Sequence, residues 1–450
     1  MSLKTATMPP RWSRLEMSKT SLEQWLQRLE TLHPREMELG LDRITTVAHS
    51  LQLLPVSRPV VTVAGTNGKG STVAVLEAVL QEAGHRTGVF TSPHLLRFNE
   101  RIRVDGRDVD DEDIVAAFEA IDRARGEVSL TYFEFAALAA LIVFRAAGVD
   151  TLVLEVGLGG RLDAVNMVDA SVAVITSIDL DHQDWLGSSR AEIAREKAGI
   201  LRAATPVVIA DADPPPELVR CITEVGAGPA LFLGKEFTLE TGTGQWQGVV
   251  RQADGATRTL PPQALGAVLP ENICAGVQAA LLLGASVSDE GLLRALATVA
   301  PVGRRQSRSV DGRRYVLDVA HNPAAVSRLL EFLRATPCEG KTIGLFSVMA
   351  DKDIRGIVDL AAGCFDAWFL ADQPGSTRAA RADEVAAALR DAGQPMISVS
   401  DNLRQAFARA RSVMSEGDRL VVFGSFTTVA AVLPPLELLA AKAGVAVGEV

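Results

Sequence analysis

Lys69 lies inside a glycine-rich run, Gly65-Thr66-Asn67-Gly68-Lys69-Gly70-Ser71-Thr72. Glycines let backbone N–H groups turn toward an anion, a lysine adds charge, and the start of a helix adds its dipole. The run follows the β-branched segment Val60-Val61-Thr62-Val63, which reads as a buried strand, and precedes Val73 to Ala83, which reads as a helix. Strand, glycine loop, lysine, hydroxyl and helix make the layout of a phosphate cradle. The spacing departs from the usual P-loop: Val63 takes the place of its first glycine and Gly70 the place of its hydroxyl, which arrives at Ser71 or Thr72. A plain βα turn with an exposed lysine shares this composition, so the loop alone leaves both readings open.

Three more polar clusters sit where strands should end. Ser92 opens Ser92-Pro93-His94, Glu155 closes the apolar Thr151 to Leu154, and Asp181-His182 follows Ser171 to Ser177. Open parallel sheets bind ligands at the carboxyl ends of their strands. Each cluster alone is ordinary; together they point to a nucleotide with a hard divalent cation. Mg²⁺ prefers oxygen, so a serine hydroxyl and a carboxylate suit it, and a histidine nitrogen is a less usual partner. The glycines of Gly157-Leu158-Gly159-Gly160-Arg161-Leu162-Asp163 suggest a close backbone approach. Lys197 reads locally as a surface helix lysine. No guanine-reading N/T-K-x-D, GxSxG, paired metal-site histidines or CxxC is present, which leaves GTPase, serine-hydrolase, zincin and redox readings without support.

The elements that must position these residues follow from length and pattern. The 450 residues exceed one ordinary core. Thr20 to Leu32 reads as a helix with a Thr20/Glu23 capping box, and Leu41 to Leu51 as a second, short one. Strands Thr87 to Thr91, Thr151 to Glu155, Ser171 to Ser177 and Pro206 to Ala210 alternate with helices Asp111 to Arg123, Thr131 to Ala147 and Glu192 to Leu201. Pro214 to Pro270 reads as a small β excursion, and Asn272 to Leu283 returns to helix. Alternation restarts with strands Arg314 to Val319, Thr342 to Val348, Ala367 to Ala371, Met396 to Val399 and Arg419 to Phe423, separated by helices Ala325 to Arg334, Ala382 to Ala392 and Leu403 to Met414. The expected fold is α/β with two open, mostly parallel sheets: residues 1–302 as a P-loop domain and 303–450 as a Rossmann-like domain.

The net charge of −10 argues against nonspecific nucleic-acid binding but allows a local positive cradle. The longest apolar runs fall short of a membrane span. Met1 to Arg14 lacks an apolar core, so it reads as neither signal peptide nor anchor, and Thr5 to Pro10 as a loose tail. Cys221, Cys274, Cys338 and Cys364 are scattered, which fits buried thiols in a reducing compartment. A cytoplasmic protein, with a monomer as the acting unit, is expected.

These motifs, in this order, resemble the folylpolyglutamate synthase/dihydrofolate synthase family of Mur-type ligases. The residues that carry the likeness are Ala64 to Ser71, Thr91-Ser92-Pro93-His94-Leu95, Leu130-Thr131-Tyr132-Phe133-Glu134, Leu154 to Ala164, Leu180-Asp181-His182, Arg195 to Ile200 and Asp318-Val319-Ala320-His321-Asn322-Pro323. The resemblance implies that Thr66, Asn67, Gly68, Lys69, Gly70 and Ser71 hold ATP phosphates. It implies that Ser92, Glu155 and His182 are magnesium ligands, which moves the metal's serine from Ser71 to Ser92, and that Lys197 is carried as a carbamate. Asn272, Arg304 and Asp318 match positions that contact ATP across an interdomain cleft. Thr131, Tyr132, Phe133, Glu134, Leu162, Asp163 and Ala164 match a pterin-substrate pocket, in the form that bifunctional bacterial enzymes carry. Arg305 competes with Arg304, Val165 stands where threonine is usual, and Glu271 precedes Asn272 where glutamine is commoner.

The implied reaction is ATP-dependent ligation of L-glutamate to dihydropteroate and to the glutamate tail of reduced folates. An acyl phosphate would form and the glutamate amine would attack it, with His321 as a candidate base and a hinge near Pro301 to Arg304. The rivals are a Mur-type ligase acting on a cell-wall nucleotide and a P-loop switch that only cycles nucleotide.

Overall fold

The β-branched run at Val60 becomes the centre of a parallel sheet, buried along its whole length. The computed structural model describes residues 20–33, 37–242, 244–394 and 396–444. The expectations for Met1 to Arg14 fall outside the described residues. The first sheet contains β1 (Val60–Ala64), β2 (Thr87–Phe90), β3 (Ile102–Val104), β4 (Arg107–Asp108), β5 (Thr151–Glu155), β6 (Val172–Ile175), β7 (Val207–Ile209) and β8 (Ala230–Phe232). Their spatial order is β4-β3-β2-β5-β1-β6-β7-β8, with only β3 and β4 antiparallel to their neighbours. From β1 the chain crosses to β2 on one side and later returns to β6 on the other. The carboxyl ends of β1, β5 and β6 therefore flank a switch point, where such sheets open a crevice.

Alternation along β1 divides the core. Val60 and Ala64 face the helices Leu22–Leu32, Asp111–Arg125 and Tyr132–Ala147, while Val61 and Val63 face the helices Lys69–Glu82 and Pro270–Leu282. On the first face Trp25, Phe98 and Phe135 each pack against Phe118 in tilted or edge-on ring contacts. On the second, Gly276 lets two helices nearly touch: a Cβ there would lie 2.7 Å from Val75 Cγ1 and 3.0 Å from the Thr72 carbonyl oxygen. A small antiparallel sheet, β9 (Thr238–Thr241), β10 (Gln245–Arg251), β11 (Thr257–Thr259) and β12 (Gln263–Ala264), rests on the outer side of helix Pro270–Leu282. Gln278 fastens it by exchanging two 2.7 Å bonds with the Arg251 backbone.

The second sheet contains β13 (Gln306–Val310), β14 (Arg313–Leu317), β15 (Thr342–Phe346), β16 (Ala367–Ala371), β17 (Ile397–Ser400) and β18 (Arg419–Phe423), in the order β13-β14-β18-β15-β16-β17. Only β13 is antiparallel. Among the described residues no helix is long and apolar enough to cross a membrane.

Several expectations shift. The first capping box is Ser21/Gln24, one residue beyond Thr20/Glu23, because Ser21 takes the extended cap geometry. The helix after the cradle starts at Lys69, four residues before Val73, so the lysine itself lies in the first turn. The expected β excursion begins only after helix Pro216–Val225 and β8 have extended the parallel sheet. Its Glu217, buried on the helix, pairs with Arg195 at 2.7 Å and broke the apolar pattern. Helices Asp289–Ala297, Ile354–Ala361 and Phe426–Lys442 were not expected.

Substituting Gly276→Val should push helices Lys69–Glu82 and Pro270–Leu282 apart and cost about 1–3 kcal/mol or more, the usual range for overpacking. Urea denaturation reads this directly; an unchanged midpoint would mean that the close approach does not matter.

Candidate active site

Two glycines shape the loop after β1. Gly65 and Gly68 have φ of +154° and +91°. A Cβ on Gly65 would sit 1.8 Å from Thr176 Oγ1, and one on Gly68 2.5 Å from Asn272 Oδ1. The loop is stitched to the segment after β6: Thr66 N donates to the Ser177 carbonyl at 2.7 Å and Asn67 N to Ser177 Oγ at 3.0 Å. Thr66 Oγ1 donates to the Asp179 carbonyl and accepts from Asp179 N, both at 3.0 Å. Gly68 caps helix Lys69–Glu82 without a side-chain bond, so the first amide N–H groups keep no intrahelical acceptor. Lys69 Nζ donates to the carbonyls of Gly65 (2.9 Å) and Thr66 (3.3 Å). Burial lowers its pKa, and Glu155 and Asp181 oppose that shift. Ser71 is buried in the same turn.

Glu155 lies against the start of this helix, with Oε1 3.7 Å from where a Gly70 Cβ would stand. Its Oε2 accepts from Ser92 N at 3.1 Å, which brings Ser92 and Glu155 together. Burial raises the Glu155 pKa, while Lys69 and the Ser92 N–H draw it down. His182 stands at the cap of the short helix Gln183–Leu186. Burial lowers its pKa to about 4, so at neutral pH it is an uncharged imidazole able to donate a lone pair. Among the described residues no three His, Cys, Asp or Glu side chains gather into a metal cage. A hydroxyl, a carboxylate and a neutral imidazole fit Mg²⁺ only when phosphate oxygens and waters complete its octahedron, which is its habit at nucleotide sites.

The glycine run after β5 holds Lys197. A Cβ on Gly160 would lie 2.8 Å from the Glu196 carbonyl oxygen, and Arg161 N donates to that oxygen at 2.8 Å. Lys197, on helix Arg190–Ala198, is 3% exposed. Burial, then the charge of Lys69, lowers its pKa to about 7. Asp163 is also buried; it accepts from Leu158 N (2.9 Å) and Val165 N (3.0 Å), yet burial lifts its pKa to about 6.

The second sheet closes over the cradle. Asn322 and Asn67 exchange amide bonds at 3.0 and 3.2 Å. Asn322 Nδ2 also donates to Asp181 Oδ2 at 3.1 Å, with His321 Nε2 at 3.4 Å from the same oxygen. His321 Nδ1 lies 2.8 Å from the Val319 carbonyl, which can only accept, so that nitrogen carries a proton. Lys352 Nζ donates to Asp181 Oδ1 at 2.6 Å and stands 3.4 Å from His182 Nε2. Burial alone would raise the Asp181 pKa; the hydrogen bond from His321 and the surrounding positive charges outweigh it and hold the carboxyl well below its usual range.

One ambiguity in the sequence resolves. Arg304 is close enough to Asp318, Glu155 and Lys69 to feel their charges, and its guanidinium lies 5.1 Å from the Phe426 ring. Arg305 turns away to donate to the Ala267 carbonyl at 2.8 and 3.0 Å. Asp318 accepts from Ala320 N (2.7 Å) and Arg305 N (2.9 Å). Asn272, in the first turn of helix Pro270–Leu282, faces Gly68.

In the 131–134 motif, Thr131 and Glu134 serve the helix. Thr131 N donates to Glu134 Oε2 at 2.7 Å and Glu134 N to Thr131 Oγ1 at 3.2 Å, with Arg43 3.3 Å from the other carboxylate oxygen. Tyr132 and Phe133 are left to form a surface: Phe133 covers Gly157, where a Cβ would come within 2.7 Å of Cζ, and stands 5.6 Å from Phe90. Leu162 is half-buried and its carbonyl accepts from Gly40 N at 3.2 Å; Ala164 is buried.

Sequence reasoning named the Asp181-His182 pair but gave Asp181 no role of its own, and it missed Asn322 and Lys352. The only signal for Lys352 was the charged group Asp351-Lys352-Asp353 just past a buried strand.

Residues 63–235 match the Mur ligase middle domain and residues 303–426 the Mur ligase glutamate ligase domain. The dihydrofolate synthase/folylpolyglutamate synthase of Escherichia coli K12 is 38% identical over 427 residues, covering 94% of this chain and 97% of that protein. The structure of E. coli FolC in complex with DHPP and ADP agrees with a TM-score of 0.87 at 38% identity, over 93% of this chain and 98% of that one. A bifunctional folylpolyglutamate synthase/dihydrofolate synthase with Mn, AMPPNP and L-glutamate bound agrees with a TM-score of 0.84 at 37% identity, over 93% and 98%. Given relatives matched along nearly their whole length and both Mur ligase domains in order, the chain belongs to the dihydrofolate synthase/folylpolyglutamate synthase family of Mur ligases.

Proposed function

We propose that this chain is an ATP-dependent ligase that joins the α-amino group of L-glutamate to the carboxylate of dihydropteroate and to the glutamate tail of reduced folates. One observation carries the reading: an uncapped helix N-terminus with a half-buried lysine, a buried carboxylate and a buried low-pKa lysine meet under the second sheet, beside an aromatic surface. Residues 1–302 supply the cradle and acyl pocket, and residues 303–450 close it. We assign the reaction to the cytoplasm and to a single chain.

In this reading the loop Thr66 to Ser71 receives the ATP phosphates, on the backbone N–H groups from Gly68 onward because those of Thr66 and Asn67 are held by Ser177, and Lys69 exchanges its loop carbonyls for phosphate oxygens. Arg304 adds a second cation, while Asn272 and Asp318 contact the rest of the nucleotide. Ser92, Glu155 and His182 would hold Mg²⁺, which supplies charge neutralisation at the transferred phosphoryl group. Tyr132, Phe133, Leu162, Asp163 and Ala164 form the pocket that presents the substrate carboxylate, with Thr131 and Glu134 fixing the helix behind it. The carboxylate oxygen attacks the γ-phosphorus, ADP leaves, and the acyl phosphate that forms is attacked by the glutamate amine, which displaces phosphate. The catalytic effect is one of positioning and charge neutralisation in a site shielded from water. His321 is assigned to orienting Asp181 across the cleft, since both of its ring nitrogens face protein groups. Closure then requires movement about residues 301–304.

Lys197 is suited to carbamylation. A neutral amine attacks CO₂, a C–N bond forms, a proton departs, and the buried cation becomes an anion able to face the metal. An amine with a pKa of about 7 is substantially neutral at physiological pH, whereas an ordinary lysine is not.

Phosphate release should require ATP, Mg²⁺, L-glutamate and dihydropteroate together; release that ignores dihydropteroate and folates alike would contradict the proposal. Lys69→Ala and Glu155→Ala should each lower kcat/KM by on the order of 10²–10³, and near-normal turnover in either would remove that residue from the site. ¹³C-bicarbonate should give a carbamate NMR signal in the wild type that strengthens as pH rises through about 7, because deprotonation frees the amine, and that vanishes in Lys197→Ala. A persistent signal in the variant, or none in the wild type, would refute the carbamate.

A further inference from the structure

Arg101 is a buried cation that the proposed mechanism leaves unused. It ends the short helix Phe98–Arg101 beside β3 and is 9% exposed. Its guanidinium carbon lies 5.5 Å from the Tyr132 ring and 5.7 Å from the Phe98 ring. Nε donates to His94 Nδ1 at 2.8 Å, which fixes the plane of the fork. Among the described residues no carboxylate pairs with it, and its two terminal nitrogens receive no acceptor, although they are not sealed in the core.

The nearby acids are already engaged. Glu100 accepts from the backbone N–H groups of Leu95, Leu96 and Arg97 at 2.6 to 2.8 Å. Glu155 accepts from Ser92 and balances Lys69, yet it is close enough to act on the charge of Arg101. Arg101 thus lies against Tyr132 and within electrostatic reach of the acid of the phosphate site. A buried guanidinium with unmatched donors is costly unless an anion meets it, and its fork matches a carboxylate in bidentate fashion.

We propose that Arg101 grips the carboxylate of the acyl substrate, an aryl carboxylic acid whose ring lies against Tyr132, and holds it for attack on the γ-phosphorus. This rests on the ligase reading above. It makes Arg101 a substrate-binding residue of the activation step, with His94 as the positioning residue behind it.

The test compares wild type, Arg101→Gln and Arg101→Lys, using equilibrium binding of pteroate and of its carboxamide, together with steady-state kinetics. Wild type should bind the acid more tightly than the amide. Arg101→Gln should weaken acid binding about ten- to a hundred-fold, the worth of charge-assisted hydrogen bonds, and leave amide binding unchanged. Arg101→Lys, which keeps the charge and loses the fork, should fall between. KM for dihydropteroate should rise with the same ranking, while KM for ATP stays within about two-fold, because Arg101 is not assigned to the nucleotide. Equal loss of acid and amide binding would indicate a packing role and overturn the proposal, as would a wild type that does not distinguish them. If Arg101→Gln does not fold, the acid-to-amide ratio in Arg101→Lys decides. A wild type that discriminates acid from amide yet shows no dihydropteroate-dependent turnover would refute the ligase reading while leaving the anion grip standing.

Discussion

The burial of positive charge governs this structure. Lys197 is buried and Lys69 and Arg304 are half-buried around one cleft, and desolvation lowers the pKa of each. Charges in such surroundings are costly unless matched. The acids supplied, Glu155, Asp163, Asp181 and Asp318, are themselves buried and largely committed to backbone N–H groups or to one another's partners. The cleft of an acidic protein is therefore poised for a polyanion, which a net charge of −10 would not suggest.

The glycines follow from that constraint. Gly65 and Gly68 allow the cradle to press against Thr176 and Asn272, and Gly160 allows the 157–163 loop to lie on the helix that carries Lys197. The second sheet then meets the first at a polar contact. Asp181 receives Lys352, Asn322 and His321 from the far side of the cleft while its own neighbour His182 faces Lys352. Polar contacts of this kind can part and re-form with little loss of apolar burial, which suits a site that must admit nucleotide and release product.

Much of this was legible in the sequence where the physics is local. Strands buried on both faces read as β-branched runs, and β1, β5, β16 and β18 lie where those runs do. The helix expected from Thr131 to Ala147 was legible because its apolar run and its first-turn Thr131 and Glu134 are local features. What depends on tertiary placement was not. Whether Arg304 or Arg305 faces the cleft is decided by a turn in which Arg305 adopts φ +44°. Lys352 gains its role only because the second sheet sets it against Asp181. Helix Phe426–Lys442 was hidden by Pro434 and Pro435, which break the donor pattern, although Val432, Leu433 and Leu436 bury its face.

The central claim is that the cleft activates a carboxylate by phosphoryl transfer. Dihydropteroate labelled with ¹⁸O in its carboxylate tests this most directly, with the released phosphate analysed by mass spectrometry after turnover with ATP, Mg²⁺ and L-glutamate. An acyl phosphate requires a carboxylate oxygen to leave with the phosphate, so the account predicts ¹⁸O in the inorganic phosphate in step with product formed. Phosphate free of label, with amide product accumulating, would contradict it.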